Sequence, residues 1–199
     1  MTAVGILGGT FNPPHLAHMV CASEARSQLG LQRVLIVPTG VPPHKRMEDE
    51  PGAEHRLAMC RLAAAGRERW LQVSAIEIER GGPSYTVDTL REINATHPGD
   101  ELTFIVGGDM AWSLPSWLEP EAILELASVA VAERAGARRE EVRERLAALG
   151  GAGRINYIDV PRLDISSSAI RRQLREGRPI DFLVADAVAE YIEQRRLYQ

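Results

Sequence analysis

The sequence predicts an α/β protein built on a doubly wound parallel sheet, with helices closing its C-terminal end. Three observations carry that expectation. Apolar runs such as AVGIL (3–7), RVLIVP (33–38) and LTFIVG (102–107) lack polar alternation, as strands buried on both faces do. Helix-like stretches lie between the runs, the connections that parallel neighbours require. Residues 1–199 read as one domain, long enough to bury a substantial core.

The elements follow in chain order. AVGIL is the first strand, and Leu16 to Leu29 a helix stopped near Gly30. RVLIVP is the second strand. TGVPPHKRMEDEPG (39–52) is too rich in Pro, Gly and charge to be regular and reads as a long loop. A helix is expected from about Ala53 to Ala65, a strand over LQVSAIEIE (71–79) and a helix over SYTVDTLREINATH (84–97). LTFIVG forms a buried strand, Trp112 joins the core, EPEAILELA (119–127) is a helix and SVAVAE (128–133) a strand. RREEVRERLAAL (138–149) reads as a solvated helix and INYIDV (155–160) as the last strand; helices near 167–176 and 184–195 finish the chain.

Composition bounds the function. Apolar content of 45% and charged content of 25% are those of a soluble globular protein. A net charge of -4 argues against a general nucleic-acid binder and leaves room for a local basic pocket that takes a phosphorylated metabolite. Cys21 and Cys60 lie in apolar, helix-like contexts and are expected to be buried free thiols, as in a reducing cytoplasm. The first residues lack a basic leader and no apolar run reaches membrane-spanning length, so neither secretion nor membrane insertion is expected. Oligomeric state is not legible.

The chemistry concentrates in GGTFNPPHLAH (8–18), just past the carboxyl end of the first strand, where ligands of parallel sheets bind. Gly8 and Gly9 suit a sharp turn and close approach of the backbone to a ligand. Pro13 and Pro14 suit the entry of a helix. His15 and His18, three apart, share a face of that helix beside N–H groups that favour phosphate. Zinc is a weaker reading, because the spacing is not that of a metalloprotease pair and nothing nearby supplies a third ligand. The G-x-G-x-x-G and P-loop fingerprints are absent. Capping and packing alone would explain an isolated H-x-x-H, but not one preceded by GGTF and two prolines.

GGTFNPPHLAH resembles the G-G-T-F-D-P-x-H-x-G-H signature of the nucleotidylyltransferase superfamily. Further along, VPPHKR (41–46), SYTVDTL (84–90), FIVGGDMAWSLPSWLEPEAIL (104–124), DISSSAIRRQL (164–174) and LVADAVAEYIEQRRLY (183–198) resemble the bacterial nicotinate-nucleotide adenylyltransferases in order and spacing. Asn12, Ala17 and Gly108 depart from that pattern, which has aspartate, glycine and alanine there. The resemblance implies a Rossmann-like nucleotidylyltransferase fold. It also implies transfer of an adenylyl group from ATP, accompanied by Mg²⁺, to nicotinate mononucleotide, with no metal ligands in the chain itself. Gly8, Gly9, Thr10, Phe11, His15, His18, Gly107 and Asp109 would bind ATP, with Ile165, Ser166, Ser167 and Arg171 at its phosphates. His15, His18 and Arg171 would be the catalytic residues. His44, Lys45, Thr86 and Trp117 would receive the mononucleotide, Trp117 by stacking on the pyridine ring; Arg46 joins the loop cations. Sister transferases with nicotinamide mononucleotide, phosphopantetheine or a sugar phosphate as acceptor are the nearest alternatives, and a non-catalytic nucleotide sensor a further one.

Overall fold

A computed structural model describes residues 1–43, 49–132, 138–151 and 153–199. Its strands are β1 (Ala3–Gly9), β2 (Arg33–Pro38), β3 (Leu71–Val73), β4 (Glu101–Gly107), β5 (Ser128–Ala132) and β6 (Ile155–Ile158). They form one parallel sheet in the order β3-β2-β1-β4-β5-β6. The helices are α1 (Leu16–Leu29), α2 (Ala53–Ala64), α3 (Ile76–Arg80), α4 (Thr86–Thr96) and α5 (Gly108–Ser113), then α6 (Pro120–Leu126), α7 (Arg138–Leu146), α8 (Ser167–Arg175) and α9 (Asp186–Gln194).

Alternation along the strands separates two cores. Val4, Ile6, Val37, Phe104, Val106, Val129 and Val131 face one side, where they pack with α4, α6 and α7. Leu7, Val34, Ile36, Ile105, Ala130 and Ile158 face the other, against Ala22 and Ala25 of α1 and Cys60 and Ala64 of α2. A third cluster joins Met59 and Ala63 of α2 to Ile170 of α8, Val188 and Ile192 of α9, and the terminal Leu197 and Tyr198. The doubly wound sheet with C-terminal helices is therefore the architecture observed. Its first helix stops where expected: Gly30 takes the left-handed conformation (φ 63°) and its N–H donates to Arg26 O.

Several local expectations are corrected. The strand expected over 71–79 ends at Val73, and the chain enters α3. Its neighbour β2 ends in Pro38, which has no N–H to extend a ladder, and the pairing closes with Ser74 N–H on Ile36 O. Trp112 is not in the core: it is 44% exposed, with the Arg145 guanidinium 4.3 Å from its ring. Ala111 and Leu114 take the inward positions of that segment instead. The helix expected to be solvated at 138–149 buries Val142 and Leu146, one turn apart, and ends in a π-turn over Ala147–Gly151. Cys60 is buried and Cys21 only half-buried; both are free. Among the described residues no helix is long and apolar enough to cross a membrane.

Candidate active site

The strand order reverses between β1 and β4, whose connections leave to opposite faces and open a crevice at their carboxyl ends. Gly9 ends one strand at this crevice and Gly107 the other. The turn expected at Gly8 and Gly9 falls later. Both glycines still pair with β2, opposite Val37 and Pro38, and the left-handed residue is Phe11 (φ 49°). Gly9 serves that turn indirectly, because a Cβ on it would lie 3.2 Å from the buried Phe11 ring. Pro13 and Pro14 precede the helix rather than open it, since His15 is the N-cap of α1; the Asn12–Pro13 bond is cis.

His15 and His18 come together as their spacing requires. Their rings stack at 3.6 Å between centroids, and the Phe11 ring meets His18 edge-on at 4.9 Å. His15 N–H donates to His18 Nδ1 at 3.1 Å. That bond leaves Nδ1 of His18 as acceptor, so its neutral ring carries the proton on Nε2. Burial lowers the His15 pKa to about 4. Burial, and then the proximity of His15, lower that of His18 to about 3. Both imidazoles are neutral at pH 7, so this helix tip offers donors and carries no imidazolium. The buried Nδ1 of His15 has no hydrogen-bond partner among the described residues. The first N–H of α1, on Leu16, is already engaged by Leu183 O at 2.9 Å.

The start of α8 lies against the same loop, although β6, which leads into it, is the far edge of the sheet. Ser166 is the N-cap of α8 and accepts from Ala169 N–H, while Ser167 Oγ–H donates to Pro13 O at 2.8 Å. Ile165 packs on the third cluster. Arg171 is buried; its Nη1 donates to Asn12 O at 2.9 Å and its Nε approaches Asp49 Oδ2 at 3.5 Å. Arg175, one turn on, reaches that same carboxylate oxygen at 2.5 Å. Two guanidiniums thus converge on one oxyanion, and hydrogen bonds from Arg175, then Arg171, hold the Asp49 carboxyl below the usual carboxylate range.

Thr86 and Trp117, two of the residues expected to take a second substrate, lie on the α4 side of the sheet. Thr86 is the first residue of α4, whose N-cap is Tyr85. Trp117 is half-buried against the core, edge-on to Phe104, and its Nε1–H donates to Ser113 Oγ at 3.1 Å. Gly107 caps α5, and Asp109 is exposed in its first turn. The segment Gly40–Val41 is docked nearby: Ser84 Oγ accepts both N–H groups, and a Cβ at Gly40 would sit 2.5 Å from Glu77 O. His44, Lys45 and Arg46 lie outside the described residues.

Sequence reasoning missed the supports of this site. Arg56, fully buried, donates to Thr10 O at 2.9 Å, Gly40 O at 3.1 Å and Glu50 Oε1 at 2.8 Å, tying the signature loop to the one after β2. Its signal was present: Arg56 shares a helical face with the apolar Cys60 and Ala63, an unusual place for a charge. Asp49 and Arg175 gave no local signal. Neither did Tyr198, whose hydroxyl donates to Asn12 Oδ1 at 2.7 Å.

Comparison with known proteins agrees with this geometry. The cytidylyltransferase-like family matches residues 6–173. A probable nicotinate-nucleotide adenylyltransferase of Citrifermentans bemidjiense is 44% identical over 211 residues, spanning 98% of this chain and 97% of the relative. The nicotinate-nucleotide adenylyltransferase of Bacillus subtilis is 36% identical over 199 residues, spanning the whole of both chains. Among solved structures, Plasmodium falciparum nicotinic acid mononucleotide adenylyltransferase complexed with NaAD aligns with a TM-score of 0.79 over 100% of this chain and 98% of its own; at 21% identity it is a likeness of fold. Identity of the order of the first two, sustained along the chain and joined to a histidine pair at the switch point of the sheet, makes this protein a member of the nicotinate-nucleotide adenylyltransferases, within the cytidylyltransferase-like family.

Proposed function

We infer that the chain transfers the adenylyl group of ATP to nicotinate mononucleotide, giving nicotinate adenine dinucleotide and pyrophosphate, a step of NAD biosynthesis. Family membership along the whole chain carries this reading, and the paired neutral imidazoles at the β1–β4 crevice support it. A phosphate oxygen of the mononucleotide attacks the α-phosphorus of ATP while the bond from that phosphorus to the α–β bridging oxygen breaks, and pyrophosphate leaves with the bonding pair. The attacking oxygen is anionic at neutral pH, so no general base and no covalent enzyme intermediate are required. What remains is to bring two polyanions together and stabilise charge in an in-line transition state, a task of positioning and electrostatics.

The roles follow from the chemistry of each group. His18 donates from Nε2 to the α-phosphate, and His15 serves the phosphate chain beside it. Arg171, with Ser166, Ser167 and the start of α8, receives the outgoing β- and γ-phosphates once Asp49 yields its place. Gly8 and Gly9 line the nucleotide from β1, Thr10 and Phe11 from the loop after it, and Gly107 and Asp109 from the end of β4 and the start of α5. Thr86 and Trp117, with His44 and Lys45, take the nicotinate mononucleotide. Mg²⁺ brought by ATP would supply neutralisation of the triphosphate charge. Among the described residues no group of three or more His, Cys, Asp or Glu comes together as metal ligands. Free Cys21 and Cys60 suit a cytoplasmic setting; burial pushes the Cys21 thiol up to about 11 and raises that of Cys60 as well.

Pyrophosphate release from ATP, assayed with nicotinate mononucleotide, nicotinamide mononucleotide and phosphopantetheine in turn, tests the reading. Release fastest with the nicotinate acceptor is the expected result. A preference for another acceptor would make the chain a sister transferase, and binding of ATP without release a sensor.

A further inference from the structure

The loop that carries the histidines has little structure of its own. Residues 10–15 lie between β1 and α1 and are held by groups far away in the chain. Arg56 takes Thr10 O, Arg171 takes Asn12 O, Ser167 takes Pro13 O, and Leu183 O takes the N–H of Leu16. All four of these contacts engage main-chain carbonyls or the N–H at the junction with α1. The side chain of Asn12 adds two more, being buried and used at both ends: Oδ1 accepts from Tyr198 O–H at 2.7 Å, and Nδ2 donates to Asp49 O at 3.4 Å.

Tyr198 is an unusual donor. Its ring is buried with Leu197, Ile192 and Met59. Arg196 and Tyr198 both take left-handed backbone conformations (φ 52° and 67°), uncommon for residues with side chains, and the ring is thereby turned inward. Packing alone would be met by phenylalanine. The hydroxyl has a different task, since the bond it makes runs to the residue three before His15.

We propose that Tyr198 is a positioning residue for adenylyl transfer: through Asn12 it fixes the loop that sets the His15–His18 pair. The proposal rests on the function inferred above. It also accounts for an asparagine at position 12, because an aspartate would bring a second acceptor oxygen to Asp49 O where Nδ2 now donates.

Three variants test it: Tyr198→Phe, which keeps the ring; Leu197→Ala, which cuts the same apolar cluster without touching Asn12; and the double variant Asn12→Ala/Tyr198→Phe. Tyr198→Phe is expected to lower kcat about tenfold, within the range that small misplacements of reacting groups produce, with a melting temperature close to wild type. Leu197→Ala should lower the melting temperature and leave kcat unchanged. The double variant should be no slower than Asn12→Ala alone. In the ligand-free Tyr198→Phe protein, the imidazole ¹H and ¹⁵N resonances of His15 and His18 should move, and those of His97 should not. Wild-type kcat with unmoved imidazole resonances would overturn the proposal, as would equal loss of kcat in Leu197→Ala. If the wild-type protein itself releases no pyrophosphate, the functional reading fails separately, and the resonances alone then decide whether Tyr198 places the histidines.

Discussion

At His18 the demands on one side chain are narrow. It must be neutral, because burial among Phe11 and His15 disfavours a charge, and it must still donate, which the His15 N–H bond to Nδ1 ensures by leaving the proton on Nε2. On the role proposed for it, replacing it by alanine removes one donor to developing charge, worth about 2–4 kcal/mol, or ~10²–10³ in kcat. His18→Ala is expected to show that loss in a pyrophosphate-release assay while its melting temperature changes little; near-normal kcat would remove His18 from the mechanism. Trp117 makes a different case, since its indole already packs on the core and bonds Ser113. Trp117→Ala should weaken nicotinate mononucleotide binding in calorimetry and also lower stability. Trp117→Phe should restore the stability and part of the affinity, because a smaller aromatic face remains. Unchanged affinity in Trp117→Ala would refute stacking.

Helix α8 shows what an element adds to its residues. Its N-cap, Ser166, is the kind of residue that sequence reading finds, and Arg171 was legible through the family pattern. That Arg171 and Arg175 share a carboxylate with residue 49 was not legible, because nothing in a helical repeat names a partner more than a hundred residues upstream. The same holds for strands and helices generally. β2, α1 and α4 announce themselves through apolar runs, a glycine stop and periodicity, whereas α3 reads as strand because IEIE alternates like one and only the end of β2 decides against it. The Asp49 contact has a kinetic consequence. On the role proposed for Arg171, a nucleotide phosphate displaces this carboxylate, so Asp49→Asn is expected to lower the KM for ATP with little change in that for the mononucleotide. An unchanged KM for ATP would mean that the α8 guanidiniums do not receive its phosphates.

Across the whole molecule, the crevice at β1 and β4 is held by long-range contacts that close over it from α2, α8 and the C terminus. GGTFNPPHLAH was readable because its chemistry is local, whereas Arg56, Asp49 and Tyr198 reach that loop across 37 to 186 residues of sequence, contacts that emerge only from packing. Arg56→Met should therefore destabilise the fold in denaturant unfolding by about 1–3 kcal/mol for each of the carbonyls of Thr10 and Gly40 that it leaves without a donor, since the exposed Glu50 is free to turn to solvent. The buried His15 and the half-buried His18 add a pH dependence to the stability of the whole fold. Unfolded, each imidazole titrates near its ordinary 6.5; folded, His15 and His18 titrate at about 4 and about 3. Between those limits the unfolded chain binds more protons, so their contribution is complete above pH 6.5 and is lost as pH falls toward 3. Glu77 works the other way, since its burial raises its carboxyl pKa and acidification favours its folded form. Comparing wild type with His18→Gln isolates the histidine contribution. The stability advantage of wild type over this variant should be flat above pH 6.5 and shrink steadily below it, read from urea midpoints at each pH. Parallel curves across that range would mean that His18 is solvated, and a solvated His18 cannot be the neutral donor proposed for the α-phosphate.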